Sequence, residues 1–280
     1  MENTTTVPTD GEDRLYHLRL RRGEVPPYMI LPGDPGRTEK IAAYWDEAKE
    51  LAYNREYRTF AGKYKGADIG TTSTGIGAPS SEICIHELCV LGVHTCIRIG
   101  TTGSISDGLD LGDIVIDTAS VRKDGTSASY IEPEYPAAAD PIVTMAMMQA
   151  CENLGYAYGL GIGYTAASFY IGQGRPLSGG GSYSPSFTKD MLGDMETAGI
   201  ANIEMEAAGQ FVVGRLHGMR MGGMFAVVSN RESDEFGDHG GVEKTVLAAS
   251  EAIRILTEWD DSDKIELSLD FTKIKGKSRR

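Results

Sequence analysis

Four short segments of the chain carry groups able to hold an anion, a polyol or a planar ring. RIGTTG, residues 98–103, sets Arg98 inside an apolar strand with Thr101, Thr102 and Gly103 just beyond it. A buried guanidinium is costly unless paired, so Arg98 asks for an anion, either a protein carboxylate or a ligand phosphate. GDPGR, residues 33–37, follows a strand and precedes a helix; its backbone N–H groups can face an anion while Arg37 supplies charge, although such a Gly-Pro stretch also serves as a plain turn. NIEMEAA places Glu204 and Glu206 on either side of Met205. An ionised carboxylate accepts from two vicinal hydroxyls, which suits a sugar; Glu206 in a first helical turn would equally favour the helix dipole. FYIGQGR brings together Phe169, Gln173 and Arg175, an aromatic, an amide and a guanidinium that fit a planar heterocycle or an ordinary loop.

Other chemistries lack their residues. There is no GxxxxGK[ST], TTSTG around Ser73 lacks the first glycine of GxSxG, and the five histidines show no HExxH spacing. Gly161, Gly163 and Ala166 match the dinucleotide pattern GxGxxA, but residues 153–189 hold no Asp or Glu about 20 positions on before Lys189, and no helix-forming run follows.

These segments sit at the ends of short apolar runs that alternate with helix-like stretches: YMIL then GRTEKIAAYWDEA, ADIGTTSTG then SSEICIHELCVLG, TCIRIG then the strand DIVIDTASV. Further on, the helix DPIVTMAMMQACENLG, the strand YGLGIGYTAAS, the helix MEAAGQFVVGRLHG, the strand MGGMFAVVSNR and the helix EKTVLAASEAIRILTEW complete the pattern. Strands apolar on both faces predict an α/β three-layer sandwich, a central mixed β-sheet flanked by helices, with ligands at the strands' carboxyl ends. One domain over residues 14–260 is expected, after a disordered N-terminal segment, 1–13, and before a basic C-terminal tail, 261–280, with a mobile loop over 175–186.

A formal charge of −13 disfavours nucleic acid and anionic lipid. No apolar run nears the roughly 18 residues of a membrane span, and the polar, acidic start does not read as a signal peptide. Cys84, Cys89, Cys96 and Cys151 form no CxxC pair and are expected as free thiols, which points to a reducing, cytoplasmic setting.

GDPGR, STGIGAPSSEICIHEL, RIGTTG, FYIGQGR and NIEMEAA, in this order and spacing, resemble the nucleoside phosphorylase-I family, and specifically its uridine-cleaving branch, over residues 14–258. Glu82 stands where that signature usually has a small residue, Ile171 replaces a common Pro, and the loop after Arg175 is richer in Gly and Ser. The resemblance implies reversible phosphorolysis: uridine and phosphate give uracil and ribose 1-phosphate, with phosphate as co-substrate and no cofactor required. It implies phosphate binding by Gly33, Arg37, Arg98, Thr101 and, from a neighbouring subunit, Arg55. Ribose falls to Met205, Glu206 and, across the interface, His17; the base falls to Thr102, Gly103, Phe169, Gln173, Arg175 and Glu204. Arg98, Arg175, Gln173 and Glu206 are the implied catalytic set. Glu56 and Ser80 match positions that hold a potassium ion between subunits in some relatives. A homo-oligomer with shared sites follows, dimer or hexamer.

Gln173 can donate and accept, matching one edge of uracil, whereas Arg175 only donates and so wants a carbonyl oxygen. Purine-specific relatives carry an Asp after the serine of the last strand; here Asn230 and Arg231 follow Ser229. Alternatives are a purine nucleoside phosphorylase, a nucleosidase using water, or a noncatalytic nucleoside-binding protein, which would not need three arginines around a phosphate.

Overall fold

Arg98 and Cys96 point to one side of their strand, Ile97 and Ile99 to the other, and this alternation divides the whole core. The computed structural model describes residues 4, 6–10, 12–106, 108–177, 183–231, 235–269 and 274–275. In chain order its elements are β1 Tyr28–Leu31, α1 Pro35–Ala42, β2 Glu47–Asn54, β3 Tyr57–Tyr64, β4 Ala67–Thr72, α2 Ala78–Leu91, β5 Thr95–Ser104 and β6 Ile114–Lys123. They continue with β7 Ala137–Ala138, α3 Pro141–Leu154, β8 Tyr158–Ala166, α4 Met191–Thr197, β9 Ile200–Glu204, α5 Ala207–Leu216, β10 Arg220–Asn230, β11 Glu235–Phe236, α6 Gly241–Ser262 and β12 Ile274–Lys275.

The strands form one mixed sheet in the order β11-β10-β6-β8-β9-β5-β1-β4-β3-β2, and β10 also pairs with β5 in parallel. Strands β5, β10, β6, β8 and β9 therefore close into a ring, while β1, β4, β3 and β2 run out as an open wing. Ile97 and Ile99 belong to the core under α1, α3 and α6; Cys96, with Met29 and Leu31, belongs to the core under α2 and α5. Period-2 alternation puts Arg98 on the α5 side with Cys96. The expected three-layer α/β architecture is what the chain adopts.

Local chemistry fixes the helix ends near the site. Asp34 caps α1 by accepting the Gly36 N–H at 2.8 Å, with Pro35 at the first helical position. Helix α2 begins after Gly77 at φ +88° and ends at Gly92 at φ +100°, a left-handed cap.

The expected helix GRTEKIAAYWDEA ends at Ala42, and its last residues enter β2. Trp45 drops into the core and donates to Ser250 Oγ at 3.2 Å, and the Asp46 N–H already bonds Lys63 across the hairpin. β2 is a mostly exposed edge strand, so it carries no apolar alternation to betray it. Within the tail, Ile274–Lys275 pairs with β8, and Lys275 reaches Asp113 at 2.7 Å and Asp110 at 3.1 Å, so these two residues are not loose. Residues 178–182 of the expected mobile loop lie outside the described residues.

Candidate active site

A cleft of 710 Å³ opens where β1, β5, β9 and β10 end, as the strand pattern predicts. Of the residues to which the resemblance gives a phosphate, ribose, base or potassium role, all but Arg55, His17 and Ser80 line it.

One end is built for an anion. Arg98, 3% exposed, donates from Nε to Glu204 Oε2 at 2.9 Å and from Nη2 to Glu206. Burial opposes its charge, and Glu206 and Glu204 more than restore it. Nη1 is also buried and has no hydrogen-bond partner. Of the two readings of Arg98, the protein-carboxylate one is present in the fold: Glu204 and Glu206 take the Nε and Nη2 edges of the fork. Arg37, in the first turn of α1, has its charge disfavoured by burial, Asp34 opposing this and Arg98 adding to it. Two partly dehydrated guanidiniums gain from an anion between them. The floor is backbone: the Gly75 N–H bonds the Gly33 carbonyl at 3.1 Å, and a Cβ on Gly33 would stand 3.1 Å from the Gly75 oxygen. Gly75 adopts φ +72°, where a side chain would also meet Glu56 Cγ at 2.9 Å.

The middle belongs to Met205 and Glu206. Glu206 is at the N-cap of α5 rather than in its first turn, because the chain bends there from β9. Its Oε1 accepts the Gly77 N–H at 2.5 Å. Burial pushes its carboxyl above the usual range, against the opposing effect of Arg98, and Glu204 adds to the rise.

Glu204 lines the cleft and carries a second, structural load. Buried at the end of β9, it accepts from Arg98, from the Thr165 hydroxyl at 2.5 Å and from the N–H groups of Glu206 and Ala207 at 2.8 to 3.0 Å. Its lone pairs are engaged in clamping Arg98 and the start of α5, so within the chain it helps shape the cleft wall. Thr102 is similarly engaged, donating to the Ile203 carbonyl at 2.7 Å.

The other end holds Phe169, Gln173 and Arg175. The Arg175 guanidinium lies 4.1 Å from the Phe169 ring centroid, donates to the Phe169 carbonyl at 2.8 Å and also bonds the Gln173 side-chain oxygen. Gln173 is buried, and its backbone carbonyl accepts from Arg231 Nη2 at 3.2 Å. Burial lowers the Arg175 proton affinity, and the charge of Arg231 lowers it further. Val228 and Ser229 line the cleft just before Asn230. Gly103 lies against Arg231, whose Cγ and Cδ would be 3.3 Å from a Cβ there.

Sequence reasoning missed Ile76 and Phe236, both lining the cleft and about 80% exposed. Ile76 sits between two glycines and Phe236 in a polar, acidic stretch, so neither belongs to an apolar period.

His17 and Arg55 lie outside this cleft and beside each other. Asn54 Nδ2 donates to the His17 carbonyl at 2.7 Å, and the Arg55 guanidinium stands 5.8 Å from the ring of Tyr16. Glu87 holds His17, meeting its Nδ1 at 2.7 Å and its N–H at 3.1 Å. Arg55 is exposed at the β2–β3 turn with φ +55°. Ser80 Oγ lies 2.9 Å from Glu56 Oε1 and 2.7 Å from the Thr74 carbonyl, three oxygens converging where the hydroxyl has a single proton to give.

Residues 27–258 match the family model described as the phosphorylase superfamily. The chain belongs to that superfamily. It is 48% identical to the uridine phosphorylase of Thermococcus kodakarensis over 91% of each chain. It is 36% identical to the uridine phosphorylase of Escherichia coli, over 87% of this chain and 96% of that one. It is also similar to the guanosine phosphorylase of Halorubrum lacusprofundi, at 35% identity over 76% of this chain and 83% of the relative. No helix among the described residues is long and apolar enough to cross a membrane.

Proposed function

We infer that this protein is a uridine phosphorylase, a pentosyltransferase that converts uridine and phosphate to uracil and α-D-ribose 1-phosphate. The observation that carries the reading is one cleft lined together by Arg98 and Arg37, by Met205 and Glu206, and by Phe169, Gln173 and Arg175. A phosphate held by Arg98, Arg37 and the Gly33 backbone, with Thr101 beside it, attacks C1′ of a ribose seated on Met205 and Glu206. The C1′–N1 bond breaks, its electron pair leaves with uracil, and the new C1′–O bond gives ribose 1-phosphate directly. No covalent enzyme intermediate forms. Charge that spreads onto the departing uracil meets Arg175 and Gln173, which strengthens their hold at the transition state.

A purine reading fits less well. Asn230 is an amide and cannot protonate a ring nitrogen, whereas uracil can leave as an anion. With a net charge of −13, phosphate gains little from long-range steering, and short-range arginine forks must supply its affinity.

The active site is completed by a second copy of the chain, in a homo-oligomer to which Arg55 and His17 contribute across the interface. Their shared surface patch, outside the cleft of their own chain, supports this arrangement. No organic cofactor is required. Glu56 and Ser80, with the Thr74 carbonyl, are oxygen donors of the kind potassium takes, and would hold such an ion beside that interface. The four cysteines, free and with three of them buried, agree with a cytoplasmic location.

The reading is tested by following uracil release from uridine with and without phosphate. Release only with phosphate is expected. Release without it would indicate a nucleosidase, and binding without release a nucleoside-binding protein.

A further inference from the structure

Behind the Arg98 clamp lies a carboxyl group that the proposed chemistry does not use. Asp117, on β6, is wholly buried, and both of its carboxylate oxygens lack a hydrogen-bond partner. The sheet makes room for it: Gly163 on β8 faces it, and a Cβ there would stand 2.8 Å from Asp117 Cγ and closer still to Oδ2. The surrounding elements bring little to pair with it. β8 and β10 set Gly161 and Gly223 in register with it. Asn202 on β9, the register partner of Gly163, and Gln210 on α5 are neutral amides, wholly buried, and the Asn202 oxygen and both Gln210 amide atoms are themselves unpartnered. The charged groups acting on it are Glu204 of β9 and Arg98 of β5, and the Asn202 amide beside it favours its ionised form.

Charge counting then limits its state. Arg98 already answers two buried carboxylates, Glu204 and Glu206. A third negative charge, desolvated and with only the Asn202 amide and the already shared Arg98 to favour it, would be poorly compensated, and an incoming phosphate would add more. We propose that Asp117 is a positioning residue, held as a neutral acid behind the Arg98 clamp, and that its neutrality sets the charge with which Arg98 meets phosphate. Burial, and secondarily the charge of Glu204, push this carboxyl well above the usual range, which agrees with the geometry. When Asp117 does ionise, the new charge draws on Arg98 and repels the anion in the cleft. The proposal rests on the reading of Arg98 as a phosphate contact.

Sulfate is the probe, because it mimics phosphate but does not titrate between neutral and alkaline pH. In the native enzyme its inhibition constant against phosphate is expected to rise with alkaline pH, by up to about tenfold per pH unit, the slope of one coupled proton. The apparent constant for phosphate should move with it more than kcat does. Asp117→Asn, which keeps the shape of the neutral acid, should flatten the sulfate profile over the same range. A rise retained in Asp117→Asn overturns the proposal and assigns the titration to another group, Glu206 first. A flat native profile overturns it too. Loss of phosphate dependence in the native enzyme would instead remove the reading beneath it, and both would fall. Should the variant not fold, calorimetry of sulfate binding to the native protein in buffers of different ionisation enthalpy decides: uptake of about one proton at alkaline pH supports the proposal, and none overturns it.

Discussion

Glu204 Oε2 accepts from Arg98 Nε at 2.9 Å while the same carboxylate accepts the Ala207 N–H, so one side chain fixes both the buried arginine of the cleft and the start of α5. The guanidinium cannot be removed without exposing that dual role.

Arg98→Ala should lower phosphorolysis by about 10² to 10³, the usual cost of losing a donor at a developing charge. The pairing with Glu204 and Glu206 adds a structural cost. Two buried carboxylates lose their partner, and destabilisation of about 3 to 5 kcal/mol is expected as well. Thermal melts beside single-turnover rates separate the two effects; a variant as stable as the native protein, with normal phosphate dependence, would contradict both.

Arg175→Ala should lower kcat more than it weakens uridine binding, because its guanidinium gains strength as uracil departs. Arg175→Lys should restore only part of the loss, since an ammonium lacks the planar fork that rests on Phe169. A raised uridine KM with intact kcat in both variants would hand the leaving-group role to Gln173 or Arg231.

Arg55→Ala and Arg98→Lys, each poorly active alone, should recover some activity when mixed under conditions that allow subunits to exchange. Hybrid assemblies contain sites with both arginines intact only if Arg55 serves a neighbouring chain. No recovery despite demonstrated exchange would place Arg55 outside the shared site.

Gly163→Ala should destabilise the fold by about 1 to 3 kcal/mol, because its Cβ would press on Asp117. Asp117→Ala in the same chain removes the obstacle, so the double variant should be more stable than the sum of the singles, with a coupling of about 0.5 to 3 kcal/mol. Additive losses, read from denaturant midpoints, would mean that the strand moves instead.

Stability should also report the state of Asp117. Its proton is held more tightly in the fold than in the unfolded chain, where a carboxyl titrates near about 4. Its contribution to stability is therefore full below that pH and is lost as pH rises toward the folded-state value. Asp117→Asn has no such dependence, so its advantage over the native protein should grow from mildly acidic to neutral pH, by up to about 1.4 kcal/mol per unit. Unfolding free energies at several pH values measure this directly, and parallel curves would refute it.

The sequence by itself determined the layered α/β plan, because apolar runs and helical periods are local properties of the chain. It also located the strand-end motifs that build the cleft, since residues a few positions apart at a strand end must project into one space. Tertiary structure decided what those residues do to one another. Arg98 and Glu204 are 106 positions apart, and only the ring closed by β5, β9 and β10 brings them within 2.9 Å. That contact makes Glu204 the clamp of an arginine, a role its place in NIEMEAA does not announce. β2 was illegible because an exposed edge strand needs no apolar face, and Asp117 looked like one polar residue of an ordinary strand. Its burial became visible only when the register of β6, β8 and β9 set it over a glycine, in a place where water cannot answer its charge.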